Sequence, residues 1–135
     1  QFIDDGGCED CTGNKLWFDP GFTSAAIATY HIPLVDSREM TVALEHQYEG
    51  KKYSGADNFE SAAVGSYNVV NLRVGYDSGS AWTATAYVEN LTDELFYERG
   101  WENAGRDNTY GYGLVNTMVW PSRGRVFGVK FDYSF

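Results

Sequence analysis

The stretch that decides the fold is RGRVFGVKFDYSF, residues 123–135, in which Phe127, Val129, Phe131, Tyr133 and Phe135 form an apolar row at every second position up to the final residue. Chain ends are ordinarily frayed. A strand period that persists to the terminus therefore points to a sheet that holds it. The same period recurs upstream. Within residues 22–34, Phe22, Ala26, Ala28, Tyr30, Ile32 and Leu34 oppose Thr23, Thr29 and His31. After the short turn VDSRE (35–39), Met40, Val42, Leu44, His46 and Tyr48 oppose Thr41, Glu45, Gln47, Glu49 and Lys51. The polar stretch KKYSGADNFESAAVGS (51–66) reads as a loop.

Val70, Leu72, Val74 and Tyr76 then oppose Asn71, Arg73 and Gly75, and DSGS (77–80) turns the chain into Trp82, Ala84, Ala86 and Val88, set against Thr83, Thr85, Tyr87 and Glu89. A stretch rich in Gly, Asn and Tyr, roughly 98–122, precedes the last strand. The spacing thus predicts five strands at about 22–34, 40–53, 67–77, 82–97 and 124–135, with residues 1–21 as a leading loop. No amphipathic helix is predicted.

Composition agrees with an all-β reading. Aromatic residues make up 16% of 135 residues, with ten Tyr, four Trp, 15 Gly and only two Met. A hydrophobic content of 43% argues against disorder. The net charge of −9 excludes a nucleic-acid partner, which would need clustered Lys and Arg. No apolar run reaches the roughly 18 residues of a membrane-spanning helix. A membrane could be crossed only by strands.

Two features favour that crossing. Connections alternate short, long, short, long, as in barrels with turns on one side and loops on the other. The apolar rows are nearly clean, whereas the opposite rows carry Glu45, Glu49, Arg73, Glu89, Lys130 and Asp132. Period alone does not say whether the apolar face meets a core or lipid, so the heights of the rings decide. A tilted strand crosses the roughly 25 Å apolar band of a barrel in about ten residues. On that scale Tyr76, Trp82, Tyr133 and Phe135 fall near one boundary, and Phe22, Tyr48 and Phe127 near the other, as two aromatic girdles. Asn90 is the exception, since parity points it at lipid unless a bulge intervenes.

Residues 67–100, YNVVNLRVGYDSGSAWTATAYVENLTDELFYERG, followed by a long loop and PSRGRVFGVKFDYSF (121–135), resemble the C-terminal end of TonB-dependent outer-membrane receptors. The resemblance rests on VNLRVGY, on VENLTDELFY, on the P-x-R-G-R-x-F-G lead-in to the last strand and on the terminal Phe135. It implies a transmembrane β-barrel of about 22 strands closed around a plug, in the bacterial cell outer membrane. Its implied activity is energised uptake of a scarce solute such as a siderophore-bound iron, cobalamin or an oligosaccharide. The short turns would be periplasmic and the long loops extracellular, with residues 1–21 among them.

Phe131, Tyr133 and Phe135 would be the signal read by the barrel-assembly machinery. Five strands leave two open edges, which lipid does not tolerate. The chain is therefore expected to be the last five strands of a larger receptor. Its partners would be the upstream strands and plug of the same barrel, outer-membrane lipid, and the TonB complex acting through that plug.

Cys8 and Cys11, in GGCEDCTG, are read as a small loop disulfide in an oxidising envelope compartment. The alternatives are a zinc half-site, which needs two more ligands, and a redox dithiol. The acidic Asp4, Asp5, Glu9 and Asp10 read as a solvated loop, a calcium site being the alternative. Asn90, Leu91 and Thr92 match a glycosylation pattern but read as strand-end structure. No metal or cofactor is implied, and no nucleophile, acid or base constellation suggests an enzyme; His31 and His46 fall on opposite faces. In ERGWENAGRDNTYGYGLVNTMVWP (98–121), Trp101, Tyr110, Tyr112 and Trp120 offer stacking surface, and Arg99 and Arg106 offer positive charge for a solute. Packing of the loop on itself is the competing role for those rings. A passive or structural outer-membrane barrel, and a soluble carbohydrate-binding module, are the alternative functions.

Overall fold

The computed structural model describes residues 11–56, 58–104 and 115–135. Among the described residues seven strands run in the order β1 (Thr23–Pro33), β2 (Glu39–Glu49), β3 (Tyr67–Asp77), β4 (Trp82–Glu89), β5 (Tyr97–Ala104), β6 (Val115–Pro121) and β7 (Val126–Tyr133). A 3₁₀ turn, Glu60–Ala62, is the one helical element among the described residues. The protein is all-β, and its sheets are antiparallel. Five strands form a sheet in the order β1-β2-β3-β4-β7, β5 and β6 form a separate hairpin, and neither sheet closes on itself.

The chain divides into two compact units: a sheet unit of residues 23–48, 68–94 and 123–135, and a loop unit drawn from 1–22, 49–67 and 95–122. In the sheet unit, opposed residues share a face. Leu72 pairs with Val88 and Val88 with Phe127; Val74, Ala86 and Val129 form the next row; Tyr76, Ala84 and Phe131 the next; and Trp82 pairs with Tyr133. The alternate rows are Arg73, Tyr87 and Gly128, then Gly75, Thr85 and Lys130, then Asp77, Thr83 and Asp132. One face is thus apolar row after row, and the other polar.

Short turns close one end. Leu34 N–H bonds to Arg38 O at 2.8 Å. In the β3–β4 turn, the Asp77 carboxylate accepts from Gly79 N–H at 2.8 Å and the Ser78 hydroxyl donates to Trp82 O at 2.7 Å. Beyond it, Ser134 N–H reaches Ala81 O at 2.7 Å, tying down the final residues.

Three strand limits differ from the sequence expectation, two of them for a local reason that the structure shows. The strand expected over 40–53 stops at Glu49: Gly50 turns away to bond Phe22 O, and Lys52 forms an antiparallel bridge with Val64. The strand expected over 82–97 stops at Glu89, because Asn90 takes a left-handed backbone (φ 52°) and Asp93 another (φ 56°). The Asn90 side chain then bonds the Glu94 backbone, which competes with the ladder, while Asp93 accepts from Arg125 N–H. The last strand runs over Val126–Tyr133 rather than 124–135. The stretch expected to be loop at 98–122 holds β5 and β6, and the loop at 51–66 holds the 3₁₀ turn.

Asn90 also departs from the parity reading. Instead of facing outward with the apolar row it is 5% exposed. Its amide nitrogen donates to Glu94 O (2.9 Å) and Arg123 O (3.4 Å), and its side-chain oxygen accepts from Glu94 N–H at 3.0 Å. No bulge is needed.

The loop unit has its own small core of Ala62 and Val64. Gly100 on β5 lies flush on the 3₁₀ turn: its N–H bonds the buried Ser54 hydroxyl at 3.1 Å, and a Cβ there would sit 2.4 Å from Ala62 O. Only glycine permits that approach. Tyr67 stacks on Phe96 with centroids 3.9 Å apart, and Trp17 bridges to Tyr53.

Candidate functional site

The hairpin β5–β6 carries the first group of candidate residues. Arg99 pairs with Trp120 and Trp101 with Met118, after a register shift between Tyr97 and Arg99. These four therefore share one face, and Gly100 and Val119 the other, where Gly100 abuts the 3₁₀ turn and Val119 is 45% exposed. On the open face Trp101 is 55% exposed, Met118 57% and Trp120 43%. The register thus unites three residues singled out in the sequence, Arg99, Trp101 and Trp120, on one surface. Met118 joins them unforeseen, and its signal lay in the register rather than in any motif. Arg106, Tyr110 and Tyr112 lie outside the described residues.

Two exposed indoles on one face with a guanidinium and a polarisable thioether can stack on planar or sugar rings and attract a carboxylate or phosphate. Elsewhere in the loop unit, Lys51 Nζ lies 2.5 Å from Glu60 Oε2, and Tyr53 donates its hydroxyl to Glu60 Oε1 at 2.8 Å. The hydrogen bond from Lys51 holds the Glu60 carboxyl below its ordinary range, and the same bond raises Lys51. Cys11 is held in a disulfide, and Cys8 lies outside the described residues, as do Asp4, Asp5, Glu9 and Asp10. Among the described residues no group of three or more His, Cys, Asp or Glu is arranged to hold a metal.

The second group lies on the apolar face of the sheet. Tyr76 and Trp82 have centroids 5.3 Å apart, Trp82 stacks on Phe131 at 5.6 Å, and Tyr133 meets Phe135 at 6.2 Å. These five rings gather at the short-turn end. Midway up the face the row is Val74, Ala86 and Val129, without a ring. Phe127 marks the opposite end, with the Arg125 guanidinium 5.7 Å over its ring. Tyr48 lies near the end of β2, and Phe22 belongs to the loop unit just ahead of β1. The face is bare: Phe127 is 69% exposed, Val129 78% and Phe131 62%.

The opposite face is laced with ions. Arg73 reaches Glu45 at 3.1 Å, Lys130 reaches Asp132 at 3.0 Å, and His31 bonds Glu39 at 2.8 Å with Thr41 donating to the same carboxylate oxygen at 3.2 Å. The Tyr87 ring covers Gly128, where a Cβ would lie 2.2 Å from the ring. His46 instead bonds Asn68 at 3.0 Å, away from His31.

At the end of the sheet away from the short turns, ENLTDE (89–94) and SRGR (122–125) interlock. Asp93 accepts from Arg125 N–H at 2.8 Å, Arg125 donates to Leu91 O at 3.2 Å, and Asn71 accepts from Asn90 N–H at 3.0 Å. The chain leaving β4 is thereby pinned to the chain entering β7. No family model, curated protein or solved structure matches this chain.

Proposed function

We propose that this chain is the C-terminal part of a transmembrane β-barrel of the bacterial outer membrane, belonging to a TonB-dependent receptor for energised uptake of a scarce solute. The observation that carries the membrane reading is the ordering of the bare apolar face by height. Rings collect at the short-turn end, Phe127 with Arg125 marks the other, and Val74, Ala86 and Val129 lie between. A sheet face covered by protein has no reason to sort aromatic from aliphatic side chains by height, whereas a bilayer does.

The ion-laced opposite face supports the same reading, because Glu45, Arg73, Lys130 and Asp132 would make an unfavourable core but a suitable wetted wall. Receptor identity rests on the motif resemblance at 67–100 and 121–135. Within it, the face formed by Arg99, Trp101, Met118 and Trp120 is the surface offered to the solute from the outer side.

Two experiments test this. Single cysteines placed along 126–133, in a background with Cys8 and Cys11 replaced, are labelled with an environment-sensitive dye in membranes. Lipid-phase quenchers should reach positions 127, 129 and 131, and aqueous quenchers 128, 130 and 132; quenching without alternation overturns the membrane reading. Peptide sequencing of the detergent-extracted polypeptide should find a plug upstream. An otherwise complete barrel lacking one refutes the receptor and leaves a passive barrel.

A further inference from the structure

On the hairpin β5–β6 the register sets four side chains at the corners of a grid. Arg99 stands opposite Trp120, and Trp101 opposite Met118. The two indoles therefore lie on one diagonal, roughly 7–8 Å apart at their base, and Arg99 and Met118 hold the other two corners. Trp101 is 55% exposed and Trp120 43%, and neither meets another ring among the described residues. Carbon atoms in contact lie about 3.5–4.0 Å apart. A spacing of twice that is a slot for one flat ring with an indole on each side.

The charge at the edge of this slot is unspent. Arg38, Arg73 and Arg125 are each paired with a carboxylate, on Asp36, Glu45 and Asp93. Arg99, in a chain of net charge −9, makes no ion pair, side-chain hydrogen bond or ring contact among the described residues. The polar groups of the four side chains are donors, since guanidinium and indole N–H only donate and a thioether is a weak acceptor. A neutral sugar edge, which needs acceptors as well as donors, is poorly served there. An ionised carboxylate accepts only, and it matches the guanidinium fork. Met118 at the opposite corner suits an aromatic edge, where thioether sulfur makes favourable contacts.

From this arrangement we infer that the hairpin holds an aryl carboxylate, with one planar ring between Trp101 and Trp120, the carboxylate on Arg99 and the far edge of the ring against Met118. The inference rests on the reading of this face as the solute surface, and it narrows the solute to one chemical class.

The test is isothermal titration calorimetry of the full-length, detergent-extracted protein, against a matched micelle blank. The ligands are naphthalene-2-carboxylate, the uncharged naphthalene-2-methanol and the puckered, saturated cyclohexanecarboxylate. The aryl carboxylate should bind about tenfold more tightly than the alcohol, for one charge-assisted pair, and about tenfold more tightly than the saturated acid, for two ring contacts. Arg99→Gln should abolish the first preference and keep the second. Trp101→Leu or Trp120→Leu should abolish the second, and Trp17→Leu, outside the hairpin, should change neither.

Equal binding of all three ligands by the parent, a comparison independent of any variant's folding, overturns the inference. If a uronate disaccharide or a ferric tris-catecholate binds instead and is lost in Trp101→Leu, the solute surface stands and the aryl carboxylate does not. If no ligand responds to any substitution in the hairpin, both readings fall.

Discussion

Replacing Asn90 probes the joint that fixes the last strand. Its amide makes two short bonds to the backbone of Glu94, at 2.9 Å and 3.0 Å, from a site 5% exposed and with a backbone φ of 52°. Asn90→Asp keeps the acceptor for Glu94 N–H but turns a carboxylate oxygen toward Glu94 O and Arg123 O in a site 5% exposed, so it should cost about 3 kcal/mol or more. Asn90→Gly loses both bonds but tolerates the left-handed backbone, for about 2 kcal/mol. Asn90→Ala loses both and adds the left-handed penalty of a Cβ, for about 3 to 4 kcal/mol. Denaturant unfolding of the full-length protein in detergent, with midpoints compared at unchanged slope, reads these differences. The expected order is Asn, then Gly, with Asp and Ala the least stable. Equal midpoints for Gly and Ala would refute the backbone argument. An Ala variant within about 0.5 kcal/mol of the parent would refute the hydrogen-bond argument.

Val129→Lys should cost about 2 to 4 kcal/mol if the apolar face meets the middle of a bilayer; unchanged yield of folded protein in the membrane fraction counts against that environment. Gly100→Val drives a side chain into Ala62 O, 2.4 Å from the ideal Cβ, and should expose the loop unit to limited proteolysis while the strands of the sheet stay protected. Glu60 has its carboxyl depressed from 4.5 by Lys51, so this contact stabilises above about pH 4.5 and is lost as the pH falls through the lower folded value. Proteolysis near residues 51–60 should accelerate on that acid limb, and Glu60→Gln should remove the acid-dependent step. Phe135→Ala should leave the chain unassembled in the periplasm if the terminal ring is an assembly signal, measured as loss from the outer-membrane fraction.

Which face each residue of β3, β4 and β7 presents was legible in the sequence because every row of the sheet is one-sided. Leu72, Val88 and Phe127 keep company by parity alone, and a slip of one residue would set Arg73 and Lys130 among them. The end of β4 was not legible. Period cannot see that the Asn90 amide prefers Glu94 to the ladder, and Leu95, Phe96 and Tyr97 extend the apolar look past the true stop. The hairpin β5–β6 stayed hidden for the opposite reason. One of its faces mixes Arg99 with Trp101 and Trp120, while the other pairs Gly100 with Val119, so neither row is cleanly apolar. The rings and the charge could be picked out singly. That three of them share a surface with Met118 needed the pairing.

The two units also differ in what holds them. Among the described residues the buried apolar side chains are Ala62 and Val64, both in the loop unit, while the buried residue of the sheet unit is the polar Asn90. A sheet cannot owe its stability to a core it does not possess. Burial of apolar area at about 25 cal/mol per Å² must come to it from whatever covers Phe127, Val129 and Phe131. Ladder hydrogen bonds secure the middle of each strand, and their ends are where a single layer would fray. The specific contacts stand there: stacked rings and the Ser134 bond to Ala81 at one end, and the knot of Asn90, Asp93 and Arg125 at the other. A two-layer protein sandwich would anchor its strands through the core between its sheets. A sheet secured at both ends and bare across its middle is what the membrane reading proposed above requires.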